Sequence, residues 1–80
     1  MQPEDVKQMI EAGMTDADVR VSGDGSHFDA IVISNQFEGK SLIQQQRMVY
    51  DTLGDKITSG ALHALSIKSY TQTQWEQHNG

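Results

Sequence analysis

The first segment of the chain carries apolar residues at the spacing of one helical face. These residues are Val6, Met9 and Ile10, at positions i, i+3 and i+4. Such spacing places the side chains on the same side of an α-helix. Pro3 suits the first turn of a helix, and Gly13 suits the position where a helix ends. The pattern predicts a helix over about 3–13.

From Asp18 the apolar positions recur with a period of two. Val19 and Val21 alternate with polar residues, and a second run of strand-forming residues covers positions 27–33. Both runs are typical of β-strands. The segment 23–26 between them is dense in turn-forming residues, so the two runs predict a β-hairpin.

A helical stripe follows the hairpin. Ser41 and Gln44 have the spacing of a capping box, which satisfies free backbone groups at a helix start. Apolar residues continue at helical spacing to Ile57, and Gly54 is expected to divide the stripe into a long helix and a short one.

The end of the chain predicts one strand and one helix. The segment 62–69 mixes Leu and Ile with polar residues and is interpreted as the third strand. Thr71 and Gln74 repeat the capping-box spacing and open a short helix that carries Trp75. Residues 77–80 are expected to form a frayed tail.

The predicted order is α-β-β-α-α-β-α, in one domain that spans residues 1–80. This order is typical of an α+β fold in which helices pack on one face of a three-stranded mixed sheet. Helices separate the second strand from the third, so these two strands are parallel if they are neighbours. Parallel strands begin at the same edge of the sheet. His27 and His63, each near the predicted start of a strand, are therefore expected to lie close together.

Composition excludes several classes of protein. The 80 residues include no cysteine, which excludes disulfides, zinc–thiolate sites and thiol nucleophiles. Eleven acidic against six basic residues give a net charge of −5, which disfavours a polyanion as the main partner. The longest apolar run, 30–33, is too short to span a bilayer. The first segment lacks the features of a signal peptide, so a cytoplasmic protein is expected.

Candidate chemistry is confined to histidines. No P-loop, HExxH, GxSxG or G-x-x-G motif is present, and no catalytic residue can be assigned. His27 could be an ordinary surface residue beside a turn. His63 shares strand parity with Leu65 and Ile67, so a partly buried core histidine is the alternative to a ligand. Two imidazoles are too few for structural zinc but suffice for one iron of a [2Fe–2S] cluster.

Several motifs in fixed order resemble the BolA family, and most closely its acid-stress-associated branch. They are DGSHF at 24–28, FEGKS at 37–41, R-x-V-Y at 47–50 and HALSIKSYT at 63–71, followed by Trp75. The resemblance covers the chain from Val21 to Trp75. It implies a fold like the class II KH domain, in agreement with the order of elements predicted above.

The resemblance also implies a partner and a cofactor. BolA-like proteins pair with monothiol, CGFS-type glutaredoxins and share a bridging [2Fe–2S] cluster, to which the glutaredoxin cysteine and glutathione supply sulfur. The histidine of the family's HAL motif corresponds to His63, and the ligand of the first turn corresponds to His27. Membership implies a non-enzymatic adaptor in iron–sulfur delivery or in iron and stress signalling. A homodimer of the free chain is left open.

Nucleic-acid binding is the alternative function. Some family members are described as transcriptional regulators, and many carry Arg-His-Arg in the long helix where this chain has Gln45, Gln46 and Arg47. The helices predicted to face a nucleic acid add only Lys40 and Lys56. Any DNA binding is therefore expected to be weak.

Overall fold

The elements of the fold follow the predicted order. The structure is a computed structural model that describes residues 2–24, 26–57 and 59–79. Its helices and strands are α1 (Pro3–Gly13), β1 (Asp18–Gly23), β2 (Phe28–Ile33), α2 (Leu42–Leu53), α3 (Ser59–His63), β3 (Leu65–Tyr70) and α4 (Gln72–Asn79), with a short 3₁₀ turn at Asn35–Phe37. The prediction α-β-β-α-α-β-α is confirmed.

The three strands form one mixed sheet with β2 at its centre. β1 pairs with β2 in antiparallel fashion, and Val19 lies opposite Val32. β3 pairs with the other side of β2 in parallel fashion, and Ile67 lies opposite Ala30. The parallel pair confirms that the chain crosses over between β2 and β3. Both strands therefore begin at the same edge of the sheet.

The hydrophobic core lies between one face of this sheet and the first two long helices. α1 contacts β1 and α2, and α2 contacts β3. The buried core residues are Val6, Ile10, Met14, Val19, Phe28, Ala30, Val32, Phe37, Val49, Leu53, Ile57, Leu65 and Ile67. Val19 and Ile67 alternate with exposed residues, as the period of two predicts, whereas Val32 of the central strand lies between half-buried Ile31 and buried Ile33. In the part of the chain that the structure describes, no helix is long and apolar enough to cross a membrane.

The opposite face of the sheet carries a smaller aromatic contact. The Trp75 ring of α4 lies 5.3 Å from the ring of Tyr70, and the Arg20 guanidinium lies over Trp75 at 5.0 Å. Arg20 and Tyr70 alternate with core residues of their strands and so belong to the outer face. The expectation of helices on one face describes α1 and α2, whereas α4 contacts the other face.

The boundary between α3 and β3 differs from the prediction. The segment 62–69 was predicted to be a strand, but the chain remains helical to His63. The amide of Ala64 closes the helix by donating to the carbonyls of Gly60 and Ala61 at 3.2 and 3.1 Å. The amide of Ala64 therefore bonds within the helix, and the strand begins only at the next residue, Leu65. The predicted short helix directly after Gly54 is likewise shifted to Ser59–His63.

Both predicted capping boxes are present. The backbone N–H of Gln44 donates to Ser41 Oγ, and the backbone N–H of Ser41 donates to Gln44 Oε1. Thr71 and Gln74 make the same reciprocal pair at the start of α4.

The last helix includes most of the predicted frayed tail. α4 continues to Asn79, so positions 77–79 are helical, and fraying of these positions stays a prediction. The ring of His78 stacks on Trp75, with centroids 5.7 Å apart, and this contact lies on the last turn. Gly80, the remaining residue of the predicted tail, lies outside the described residues.

Candidate metal-ligating site

The starts of β2 and β3 are joined by one backbone hydrogen bond. The amide of Phe28 donates to the carbonyl of Ala64 at 2.8 Å, and Phe28 lies opposite Leu65 in the parallel register. His27 directly precedes Phe28, and His63 directly precedes Ala64. The sheet thus brings the backbones of the two histidines to one edge, as the topology predicts.

A tight turn presents His27 at this edge. Asp24 Oδ1 accepts hydrogen bonds from the Ser26 amide at 3.0 Å, the Ser26 hydroxyl at 2.9 Å and the His27 amide at 3.0 Å. These bonds, led by the one from the Ser26 amide, hold the pKa of the Asp24 carboxyl below its ordinary value. At Gly23 any Cβ would collide with the carbonyl oxygen of His27. The predicted turn is confirmed at these residues, and Gly25 lies outside the described ones.

The imidazole of His27 lies beside two polar side chains on the outer face. Its Nε2 is 3.5 Å from Ser66 Oγ, and its Nδ1 is 3.9 Å from Asp29 Oδ2. Asp29 and Ser66 lie directly opposite each other on β2 and β3. The His27 side chain is 56% exposed, so a partner molecule can reach the ring.

His63 lies at the end of a helix and not within a strand. It is the last residue of α3, and its side chain is exposed. The interpretation of His63 as a partly buried core histidine depended on a strand that would begin at 62, and it is wrong. Because the chain remains helical to His63, this imidazole faces solvent and is free of the core.

The two histidines fit a metal site shared with another molecule better than a site formed by this chain alone. In the described part of the chain, no group of three or more His, Asp or Glu side chains could hold a metal ion. Two exposed imidazoles at one edge can ligate one iron of a [2Fe–2S] cluster. The remaining ligands must then come from another molecule, which the exposure of both rings permits.

The third histidine belongs to a different region. His78 lies on α4 and contacts Tyr70, the last residue of β3. β2 and β3 begin at the His27 edge, so Tyr70 marks the opposite end of the parallel pair.

Sequence analysis did not identify Asp29 and Ser66 as neighbours of His27. His27 and Asp29 are two residues apart in the predicted strand 27–33. This spacing indicates that the two side chains lie on one face of that strand. Ser66 lies 39 positions away from His27, and no local pattern predicts that contact.

The surface of α2 is apolar more than cationic. Leu42 and Ile43 are 65% and 71% exposed, and with Gln46, Arg47 and Tyr50 they line a shallow groove of about 370 Å³. Arg47 is the one cation of this groove. A nucleic-acid surface needs clustered positive charge, so this face of the helix does not resemble one.

The fold and the site together define the class of this protein. It is an α+β protein with a mixed three-stranded sheet and two solvent-facing histidines where two parallel strands begin. The family model described as BolA-like protein matches residues 5–74. The chain belongs to the BolA family.

Individual relatives agree with this assignment. The acid stress protein IbaG of Escherichia coli K12 is 36% identical over 75 residues, which are 94% of this chain and 89% of that protein. The solved structure of a bolA protein homologue from Coxiella burnetii has a TM-score of 0.83 and 40% identity, covering 95% of this chain and 97% of that one. The DNA-binding transcriptional regulator BolA of E. coli K12 is 34% identical over 55 residues, 69% of this chain and 51% of that protein.

Proposed function

We propose that this protein is a non-enzymatic adaptor that binds a monothiol, CGFS-type glutaredoxin in the cytoplasm. In this complex His27 and His63 would be the adaptor's ligands to a bridging [2Fe–2S] cluster. The observation that carries the proposal is the pairing of the two histidine-bearing segments through the Phe28–Ala64 hydrogen bond. The adaptor would act in iron–sulfur delivery or in iron and stress signalling.

The chemistry of the chain supports this choice of ligands. It has no cysteine, so it cannot offer a thiolate, and imidazole nitrogen is a donor that suits iron. Two imidazoles on one iron with thiolates on the other is an established arrangement for [2Fe–2S] clusters. When bound, the cluster would supply an electron- and iron-transferring group, and the adaptor would supply two imidazole ligands from the segments that precede β2 and β3.

The direct test is co-expression with the host's monothiol glutaredoxin, followed by size exclusion with a visible absorption spectrum. A coloured heterodimer is expected. His27→Ala and His63→Ala should each give a heterodimer with a labile cluster or return the cluster to the glutaredoxin homodimer. His78→Ala is the matched control and should behave as wild type. Two separate colourless peaks for the wild-type proteins would overturn the proposal.

A DNA-binding regulator is the second candidate, and the name of the E. coli relative BolA favours it. The charge of this chain does not, because the net charge is −5. Lys40 and Arg47 line one shallow cavity on α2, and Asp51 lines it too. A carboxylate beside two cations weakens their attraction for phosphate.

A further inference from the structure

We propose that Asp29 is a positioning residue for His27. Its carboxylate holds the imidazole in the tautomer that carries hydrogen on Nδ1, and this leaves the lone pair of Nε2 for a metal. The consequence for cluster binding rests on the proposed function, whereas the tautomer is a property of the free chain.

The backbone places the three groups together. His27 directly precedes β2 and Asp29 is its second residue, and the 3.9 Å between His27 Nδ1 and Asp29 Oδ2 shows that the two side chains lie on the same side of the sheet. Ser66 of β3 lies directly opposite Asp29. The ring of His27 therefore has the carboxylate on its Nδ1 side at 3.9 Å and the hydroxyl on its Nε2 side at 3.5 Å.

The chemistry of these neighbours selects one tautomer. A neutral imidazole has one nitrogen that donates and one that accepts, and an ionised carboxylate only accepts. Hydrogen on Nδ1 faces the Asp29 oxygen favourably, and the Ser66 hydroxyl then donates toward Nε2. The other tautomer would place the Nδ1 lone pair against the carboxylate. Both separations exceed a closed hydrogen bond, so the selection acts through the electrostatic field of the Asp29 charge.

This arrangement matches how proteins prepare histidine ligands. A metal-bound imidazole commonly donates its other N–H to a carboxylate, which fixes the orientation and tautomer of the ring. Ser66 would lose its contact with Nε2 when a metal takes that nitrogen, and Asp29 would keep its own. The two neighbours thus have different roles, since Asp29 sets the tautomer and Ser66 occupies the ligating nitrogen of the free chain.

The test is a two-bond ¹H–¹⁵N correlation spectrum of the free protein, at a pH where the imidazoles are neutral. The His27 signals should show hydrogen mainly on Nδ1. Asp29→Ala should shift the population toward hydrogen on Nε2. Asp29→Asn, which keeps an acceptor oxygen, should retain part of the wild-type preference. Ser66→Ala should change the ratio less than Asp29→Ala, and His63 in the same spectrum is the internal control.

Two results would overturn the proposal: His27 with hydrogen on Nε2 in the wild type, or the same tautomer ratio in wild type and Asp29→Ala. Neither result depends on glutaredoxin, so failure of the proposed function is distinguishable from failure of this inference. In the coloured heterodimer, Asp29→Ala should shorten the lifetime of the cluster about 10-fold and raise its reduction potential. An unchanged lifetime and potential would also count against the positioning role.

Discussion

The amide nitrogen of Phe28 lies 2.8 Å from the carbonyl oxygen of Ala64. Two segments of different local structure meet in this bond, because a turn carries His27 and the end of a helix carries His63. The parallel ladder fixes their separation along the backbone, and both side chains remain exposed. The parallel pairing of β2 and β3 therefore positions the two segments. The exposed imidazoles of His27 and His63 are the candidate ligands and are not part of the hydrophobic core.

Removal of either histidine should weaken binding of the proposed cluster and leave the fold intact. His27→Ala and His63→Ala are each expected to change the free energy of unfolding by less than about 0.5 kcal/mol, as is usual for exposed residues. Urea unfolding of the free chain measures this change. Phe28→Ala is the contrasting variant, since that ring is buried and its loss should cost about 3 kcal/mol. A large loss of stability in either histidine variant would mean that its imidazole supports the fold.

The turn at Asp24 should weaken in acid. Three hydrogen bonds, led by the one from the Ser26 amide, keep the pKa of Asp24 below its ordinary value of 3.8. A group with a lowered pKa stabilises the folded turn fully above its unfolded pKa, and this contribution is lost as the pH falls through the folded value. A carbon-detected NMR titration of the carboxyl should give a midpoint below 3.8.

Substitution of Asp24 tests the same turn at neutral pH. In Asp24→Ala the amide protons of Ser26 and His27 should exchange faster with solvent, because their acceptor is gone. Asp18→Ala removes another exposed strand-edge carboxylate and should leave those two amides unchanged. Equal exchange rates in wild type and Asp24→Ala would show that the carboxylate does not hold the turn.

Local patterns predicted most of the fold. The capping box of Ser41 and Gln44 and the alternation at Val19 and Val21 involve residues within a few positions of each other. Their interactions are local, so sequence spacing alone identifies them. The edge that joins His27 to His63 also followed from the order of elements, because parallel strands share a starting edge.

Non-local contacts account for what the sequence did not predict. The strand start at Leu65 depends on Ala64, whose amide belongs to α3 and whose carbonyl belongs to the ladder with Phe28. Asp29 and Ser66 meet only because of the register of two strands separated by two helices. Trp75 contacts the outer face because of the direction that the chain takes after Tyr70, which composition and periodicity do not encode.

Trp75 should stabilise the fold through its contacts on the outer face. Its ring contacts Tyr70 and His78, which also contact each other, and lies under the Arg20 guanidinium. The side chain is only partly buried, so Trp75→Ala should cost about 2 kcal/mol, less than a core tryptophan. Trp75→Phe keeps a ring in place and should cost under about 1 kcal/mol. Thermal unfolding distinguishes these values, and an unchanged melting temperature in Trp75→Ala would contradict the packing role.

Gln45 should be the most costly polar residue to remove. It is 7% exposed; its Nε2 donates to the Lys40 carbonyl at 3.0 Å, and its Oε1 accepts from the Ser69 hydroxyl at 2.7 Å. Gln45→Ala leaves both partners without this bond and should cost about 2 kcal/mol, whereas Ser69→Ala should cost about 1 kcal/mol.

A double-mutant cycle tests the coupling of Gln45 and Ser69. The Gln45→Ala/Ser69→Ala variant should be more stable than the sum of the single losses predicts, because the two side chains share one hydrogen bond. Gln8→Ala is the exposed control and should change the free energy of unfolding by less than about 0.5 kcal/mol. Additive losses would contradict the coupling.

DNA binding by this chain should be weak and should be lost between low and physiological salt. The basic residues are Lys7, Arg20, Lys40, Arg47, Lys56 and Lys68. They lie on several different elements, and Arg20 is already paired with Asp18 at 3.2 Å. The logarithm of the affinity for DNA falls linearly with the logarithm of the salt concentration, and the slope is proportional to the number of phosphates neutralised. Fluorescence anisotropy with a duplex oligonucleotide should therefore give a Kd of about 10 μM or weaker at 200 mM salt, equal for unrelated sequences. Arg47→Ala should reduce the binding seen at low salt, whereas His63→Ala should leave it unchanged, because His63 of the candidate metal-ligating site lies on α3 and Arg47 lies on α2. A tight complex with one preferred sequence at 200 mM salt would favour the regulator over the adaptor.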